Sequence, residues 1–273
     1  MAAPHKNLAN YGTTKMNCQI DENSGQMTIR PKGAVIECGF EIGDWLSYLS
    51  AGRDATKATA TVVESDITPD RMSLSHRIRL EMGTFELTQT ERINGNTIIR
   101  EFDVLPLESG FLGDFVGRFS FPDCGDAVVS INGRNIEHTN KNRYHQYHTD
   151  RVSLSGNFGR FVVETTKAEL PDGMEYVMYA RDEPPDNWVI HARVLACDTG
   201  IGVLRFHRGP FTHSQALDRI ISRSSLIAGR FRRLRERTRL PSRYIPIQYG
   251  DLTPLATTDD IQLGLKCKYY DEQ

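Results

Sequence analysis

The 273-residue sequence contains no Gly-rich phosphate loop, no dinucleotide-binding G-x-G-x-x-G and no G-x-S-x-G elbow, which disfavours nucleotide hydrolysis and α/β-hydrolase chemistry. It has no C-x-x-C pair either. Cys18, Cys38, Cys124, Cys197 and Cys267 lie far apart, and an odd, scattered count points to reduced thiols rather than a disulfide framework. The N-terminal stretch lacks the apolar core of a signal peptide, and no run approaches membrane-spanning length, so a cytoplasmic location and no membrane partner are expected. Neither sign of charge dominates: 33 Lys and Arg stand against 35 Asp and Glu, for a formal net charge of −2. Binding to a polyanion would therefore have to come from local clustering rather than bulk charge. Internal repeats and low-complexity blocks are also missing.

What is present is mostly strand. Residues 72 to 82 alternate cleanly, with Met72, Leu74, His76, Ile78, Leu80 and Met82 on one face and Ser73, Ser75, Arg77, Arg79 and Glu81 on the other. The turn signal Asn94-Gly95-Asn96 then separates strands at 85–93 and 97–105, giving an antiparallel meander. Further strands are expected at 57–67, around the Asn132-Gly133 turn, at 143–154, 158–166, 174–181, 187–197 and 202–207, and finally at 244–248 and 261–269. Residues 44–52 have the spacing of a short helical turn. Residues 1–25 are polar and without periodicity, and read as an N-terminal arm. Residues 26–273 then read as one antiparallel β domain, a large sandwich or barrel with a single amphipathic helix at about 212–240.

That helix is the most patterned segment. Thr212 and Gln215 form a capping-box pair, Pro241 stops continuation, and Leu217, Ile220, Ile221, Ile227, Phe231 and Leu234 define an apolar face. Arg219, Arg223, Arg230, Arg233 and Arg237 fall within roughly 40° of one line along it. Such a line either is solvated and paired within the chain or docks a partner through bidentate contacts.

Two stretches carry candidate chemistry. Between Ile136 and Arg151, His145, Tyr147 and His148 offer proton-transfer groups. On a strand, however, Tyr144, Gln146 and His148 share one face while His145 and Tyr147 take the other. The His-x-x-His-x-Asp spacing matches no established metal signature, so no metal is expected. In the second stretch, Trp188, Ile190, Ala192, Val194 and Ala196 form an apolar face, which places His191 and Arg193 opposite. Arg205 and His207 repeat the basic pair on the next expected strand, and the two pairs together would make a cationic floor for an anionic ligand. His76, on the apolar face of the meander, reads as a hydrogen-bonded core histidine.

These features predict a small-molecule-binding β protein, with His191, His145, His148 and Tyr147 as catalytic groups and Arg193, Arg205 and His207 holding the ligand. Cofactor-free isomerase, lyase or hydratase chemistry on a carbohydrate or other carboxylated molecule suits such a His/Tyr/Arg site. A different class, a structural or assembly protein, would use the N-terminal arm and the arginine line as contact surfaces, with homo-oligomerisation expected. Nucleic-acid binding ranks last, because no aromatic residues interleave with the arginines.

Overall fold

The computed structural model describes residues 8–13, 16–21, 23–31, 34–44, 46–53, 55–68, 71–147, 149–196, 209–212 and 252–271. The expected helix at 212–240 and the strands at 202–207 and 244–248 lie outside this set, as do Arg205, His207, His148 and the arginine line from Arg219 to Arg237.

Among the described residues the strands in chain order are β1 Leu8–Thr13, β2 Met16–Asp21, β3 Gln26–Arg30, β4 Ile36–Gly43, β5 Tyr48–Ser50, β6 Ala55–Thr56 and β7 Thr59–Ile67. They continue as β8 Arg71–Leu80, β9 Gly83–Asn94, β10 Thr97–Pro106, β11 Gly110–Leu112, β12 Asp114–Phe121, β13 Val128–Ile131, β14 Arg134–Glu137 and β15 Arg143–Tyr147. The rest are β16 Arg151–Gly156, β17 Gly159–Glu169, β18 Met174–Glu183, β19 Asn187–Ala196, β20 Gly209–Thr212, β21 Thr253–Leu255 and β22 Ile261–Tyr270. No described segment is a helix long and apolar enough to cross a membrane.

Two large antiparallel sheets result. The first runs β1-β2-β3-β4-β12-β19-β18-β15-β20, with β5 also paired to β4 and β6 to β5. The second runs β14-β13-β16-β17-β22-β10-β9-β8-β7. The meander read from residues 72–105 is β8-β9-β10, and β8 buries alternate residues from Met72 to Leu80. At the β13–β14 hairpin, Asn132 and Gly133 both take positive φ (49° and 73°), as a turn matched to the twist of its strands requires.

The sheets pack face to face around one apolar core. On β12 the inward residues are Phe115, Gly117, Phe119 and Phe121. A methyl at Gly117 would stand 2.6 Å from Leu265 and 3.0 Å from Phe102, so glycine there lets the sheets close on each other. Phe102 from the second sheet meets Phe115 edge to face at 5.3 Å. Trp188 is buried, and its indole N–H donates to the Ala127 carbonyl at 3.1 Å. Cys18, Cys38, Cys124 and Cys267 are all buried.

Four expectations change. The single strand expected at 143–154 is two, β15 and β16, which belong to different sheets. The polar stretch read as an arm supplies β1 and β2, a hairpin that extends the first sheet and buries Cys18 and Ile20. Polar residues suit such a position because only one face of a sheet edge meets the core. Residues 48–50, read as part of a helical turn, are strand β5, because pairing with β4 overrides the short helical spacing. His76 is a core residue, but neither ring nitrogen has a hydrogen-bond partner, and the ring lies 5.4 Å from that of Phe40.

Candidate functional site

The first sheet has two unlike faces. Its inner face is apolar, whereas its outer face, across the central strands β4, β12, β19 and β18, sets charged and polar side chains among small and apolar ones. The register sets the rows. Glu41 lies beside Val116, Gly39 beside Arg118, Arg118 beside His191 and Val116 beside Arg193. On the next strand, His191 lies beside Tyr179, Arg193 beside Val177 and Val189 beside Arg181. Period-two geometry therefore brings Glu41, Asp114, Arg118, His191, Arg193, Tyr179 and Arg181 onto one surface from four strands.

Arg118 organises one end of this surface. Fully buried, it donates to Glu41 Oε1 at 2.9 Å, to Ser50 Oγ at 2.8 Å and to the Ala51 carbonyl at 3.1 Å. The guanidinium passes over Gly39, where a Cβ would stand 2.8 Å from Nη2, so the lack of a side chain there is what admits it. Burial alone would raise the Glu41 carboxyl. His191, the Arg118 guanidinium and a hydrogen bond from Tyr48 outweigh it and bring the carboxyl down to about 2. Glu41 is thus an ionised carboxylate at neutral pH, with 18% of its side chain exposed.

His191 sits next to it, with Nε2 4.0 Å from Glu41 Oε1. Burial lowers its pKa, Glu41 opposes that, and the guanidiniums of Arg181, Arg118 and Arg53 reinforce it, leaving a value of about 3 and a neutral ring. The ring lies on Tyr179 at 4.7 Å with a 31° tilt, and its Nδ1 has no hydrogen-bond partner. Beside the pair, Tyr144, Tyr179, Val177 and Leu195 form a second, smaller apolar cluster. An aromatic-walled patch next to a carboxylate and an imidazole is equipped to hold a molecule with one apolar face and to move a proton at its edge.

The four described guanidiniums around the Glu41–His191 pair each have a carboxylate partner. Arg193 Nη2 is 2.5 Å from Asp114 Oδ2, Arg181 and Arg53 reach Glu183 at 3.3 and 3.2 Å, and Arg118 holds Glu41. Arg193, expected to anchor an anion, is therefore charge-compensated by Asp114, although its Nε has no hydrogen-bond partner.

Of the expected catalytic set, the structure places His191 here but not His145. His145 pairs with Ala180, so it points to the inner side of the sheet, 3.9 Å from Asp182 and 5.9 Å from the Trp188 ring. Asp182 is buried and accepts hydrogen bonds from the Thr139 amide at 3.1 Å, the Thr139 hydroxyl and the Arg143 amide. Burial pushes its carboxyl up, but these bonds and His145 bring it down to about 2. That group ties a loop to a strand. Tyr147 is the last residue of β15, where its backbone pairs with Met178.

Glu41, Asp114, Arg118, Tyr179 and Arg181 are absent from the expected set, yet the first three had a signal. Glu37, Gly39, Glu41 and Gly43 alternate with Ile36, Cys38, Phe40 and Ile42, and Asp114, Val116, Arg118 and Ser120 alternate with Phe115, Gly117, Phe119 and Phe121. Charged residues alternating with an apolar set mark the second face of each strand, and in the structure that face of β12 is covered rather than washed by solvent.

No family model matches the chain, and no curated protein matches it in sequence. Solved structures do match in shape. A candidate aldose 1-epimerase from Escherichia coli K12 superposes with a TM-score of 0.60 at 9% identity, covering 97% of this chain and 99% of that one. A galactose mutarotase related enzyme from Lactobacillus acidophilus gives 0.52 at 10% identity, covering 96% and 97%. The shared feature is the fold, a galactose mutarotase-like β-sandwich.

Proposed function

We propose that the protein binds a free aldose over the outer face of the first sheet and interconverts its anomers. The observation that carries this reading is the Glu41–His191 pair, an ionised carboxylate 4.0 Å from a neutral imidazole, set beside the Tyr144–Tyr179 wall. Opening a pyranose ring removes a proton from the anomeric hydroxyl and delivers one to the ring oxygen, and closure on the other face of the carbonyl reverses this. A single proton suffices. Glu41 takes it from the hydroxyl, the pair holds it, and it returns to the ring oxygen as the bond from carbon to that oxygen breaks. Such chemistry needs no cofactor, and the two structural neighbours, a candidate aldose 1-epimerase and a galactose mutarotase related enzyme, support the same reaction class.

A neutral aldose fits the described residues better than a carboxylated one, because Arg53, Arg118, Arg181 and Arg193 each already face an acid. The test is polarimetry or exchange NMR on freshly dissolved single anomers. The protein should hasten equilibration in proportion to its concentration for at least one neutral aldose. Rates equal to buffer across a panel of aldoses would sink the reading, and acceleration confined to uronates would restore an anion-holding role for the arginines.

A second consequence concerns Gly39. In Gly39→Ala the new methyl lies 2.8 Å from Arg118 Nη2 and pushes the guanidinium off Glu41. Misplacement on this scale costs about 10- to 100-fold in kcat/KM. Steady-state kinetics beside a thermal melt would check it; full activity in a folded variant would show that Arg118 does not set Glu41.

A further inference from the structure

Behind the candidate site, inside the sandwich, lies a fully buried ion pair. Glu91 on β9 and Arg100 on β10 are completely excluded from solvent, with Arg100 Nε 2.8 Å from Glu91 Oε1. Gln89 Nε2 donates to the same oxygen and to the Gly25 carbonyl at 3.0 Å. Desolvating two charges in a core is costly, and well-packed apolar residues often serve stability equally well. What the pair does in the molecule is therefore to be sought in what it touches.

Arg100 reaches across to the first sheet. Its Nη1 donates to the backbone carbonyl of Arg118 at 2.7 Å and to that of Gly39 at 3.2 Å. Those two residues are register partners on β12 and β4. They also build the front of the site, since the Arg118 side chain holds Glu41 and Gly39 gives it room. The guanidinium is fixed in turn by the rings of Phe102 and Phe119, 4.9 and 5.1 Å from its central carbon. One arginine in the core thus grips, from behind, the main chain of both residues that set the carboxylate in front.

From this juxtaposition we infer that Arg100, oriented by Glu91, is a positioning residue for the proton-transfer pair, acting through the backbone of Gly39 and Arg118 on the far side of the sheet. The inference rests on the reading of Glu41 and His191 as that pair. It separates two roles that a core ion pair can have: holding the sheets together, which apolar packing could replace, and fixing the Gly39–Arg118 backbone, which apolar packing could not.

The experiment replaces both charges at once, Glu91→Leu with Arg100→Met, so that no charge is left unpaired in the core. The expected result is a folded protein with KM for the aldose within about threefold of wild type and kcat lowered about 10-fold or more. The imidazole ¹⁵N resonances of His191 should move, while those of His138, hydrogen-bonded to Asn187 and Asn140 at a distance from β4, should stay. Arg100→Lys, which keeps a cation for Glu91 but loses the forked geometry, should recover part of kcat. Wild-type kcat with unmoved His191 resonances in the folded double variant overturns the inference. If the double variant does not fold, the same readouts on Arg100→Lys decide: kcat reduced with KM held supports the role, and wild-type values on both remove it. Should no aldose be turned over even by wild type, the anomer reading fails. The His191 resonances then still tell whether Arg100 sets the far face.

Discussion

Glu41→Gln is expected to lower kcat for anomer interconversion by about 10²- to 10⁴-fold, the usual contribution of a positioned proton-transfer group. Glutamine keeps the shape and can still accept from Arg118 and Tyr48, so the fold and KM should change little and the loss should fall on kcat. The pH profile gives an independent check. Glu41 titrates near 2 and His191 near 3, so the carboxylate and neutral-imidazole form is fully populated above both values. The rate should therefore be flat from about pH 5 to about pH 8, without the limb near 6.5 that an ordinary histidine would produce. Full activity in Glu41→Gln, or a limb centred near 6.5, would remove the pair from the mechanism.

The second large effect is on stability in acid. His76 lies in the core with both ring nitrogens unpartnered, and burial lowers its pKa from 6.5 to about 4. The unfolded chain binds the proton more readily, so the neutral ring's contribution is complete above about pH 6.5 and is lost as pH falls to 4. A shift of this size corresponds to about 3 kcal/mol. His191, lowered from 6.5 to about 3, adds stability of the same sign over a window reaching lower pH. His76→Leu removes the first contribution. Relative to wild type, it should gain about 3 kcal/mol of unfolding free energy between pH 7 and pH 4, measured by urea denaturation at each pH. An unchanged difference between the two proteins across that range would show that His76 does not titrate on unfolding.

The strands were largely legible because one face of each is buried. Met72 to Leu80 and Trp188 to Ala196 announce their inner faces by alternation alone, and Asn94-Gly95 and Asn132-Gly133 announce the hairpins. His191 and Arg193 were legible for the same reason, as the polar complement of an apolar face. Their neighbours were not. Glu41 and Arg118 meet His191 only because β4 pairs with β12 and β12 with β19, joining segments more than seventy residues apart. Local periodicity fixes which way a side chain points and is silent on strand order, so it grouped His145 with His191 by chemistry when the sheet separates them by face. The N-terminal stretch misled for another reason: its polarity reflects an edge position, and the pairing partner that makes it a strand is β3.

The buried cysteines carry one more implication. A sulfur reacts as thiolate, and burial drives the Cys38 thiol well up and those of Cys124 and Cys267 to about 12. In the native state these atoms are shielded both from reagent and from ionisation, and Cys18 shares the same enclosure. Their alkylation consequently clocks how often the two sheets part. The molecule carries its own gauge of breathing, distributed between β2, β4, the Cys124 turn and β22, with no label added.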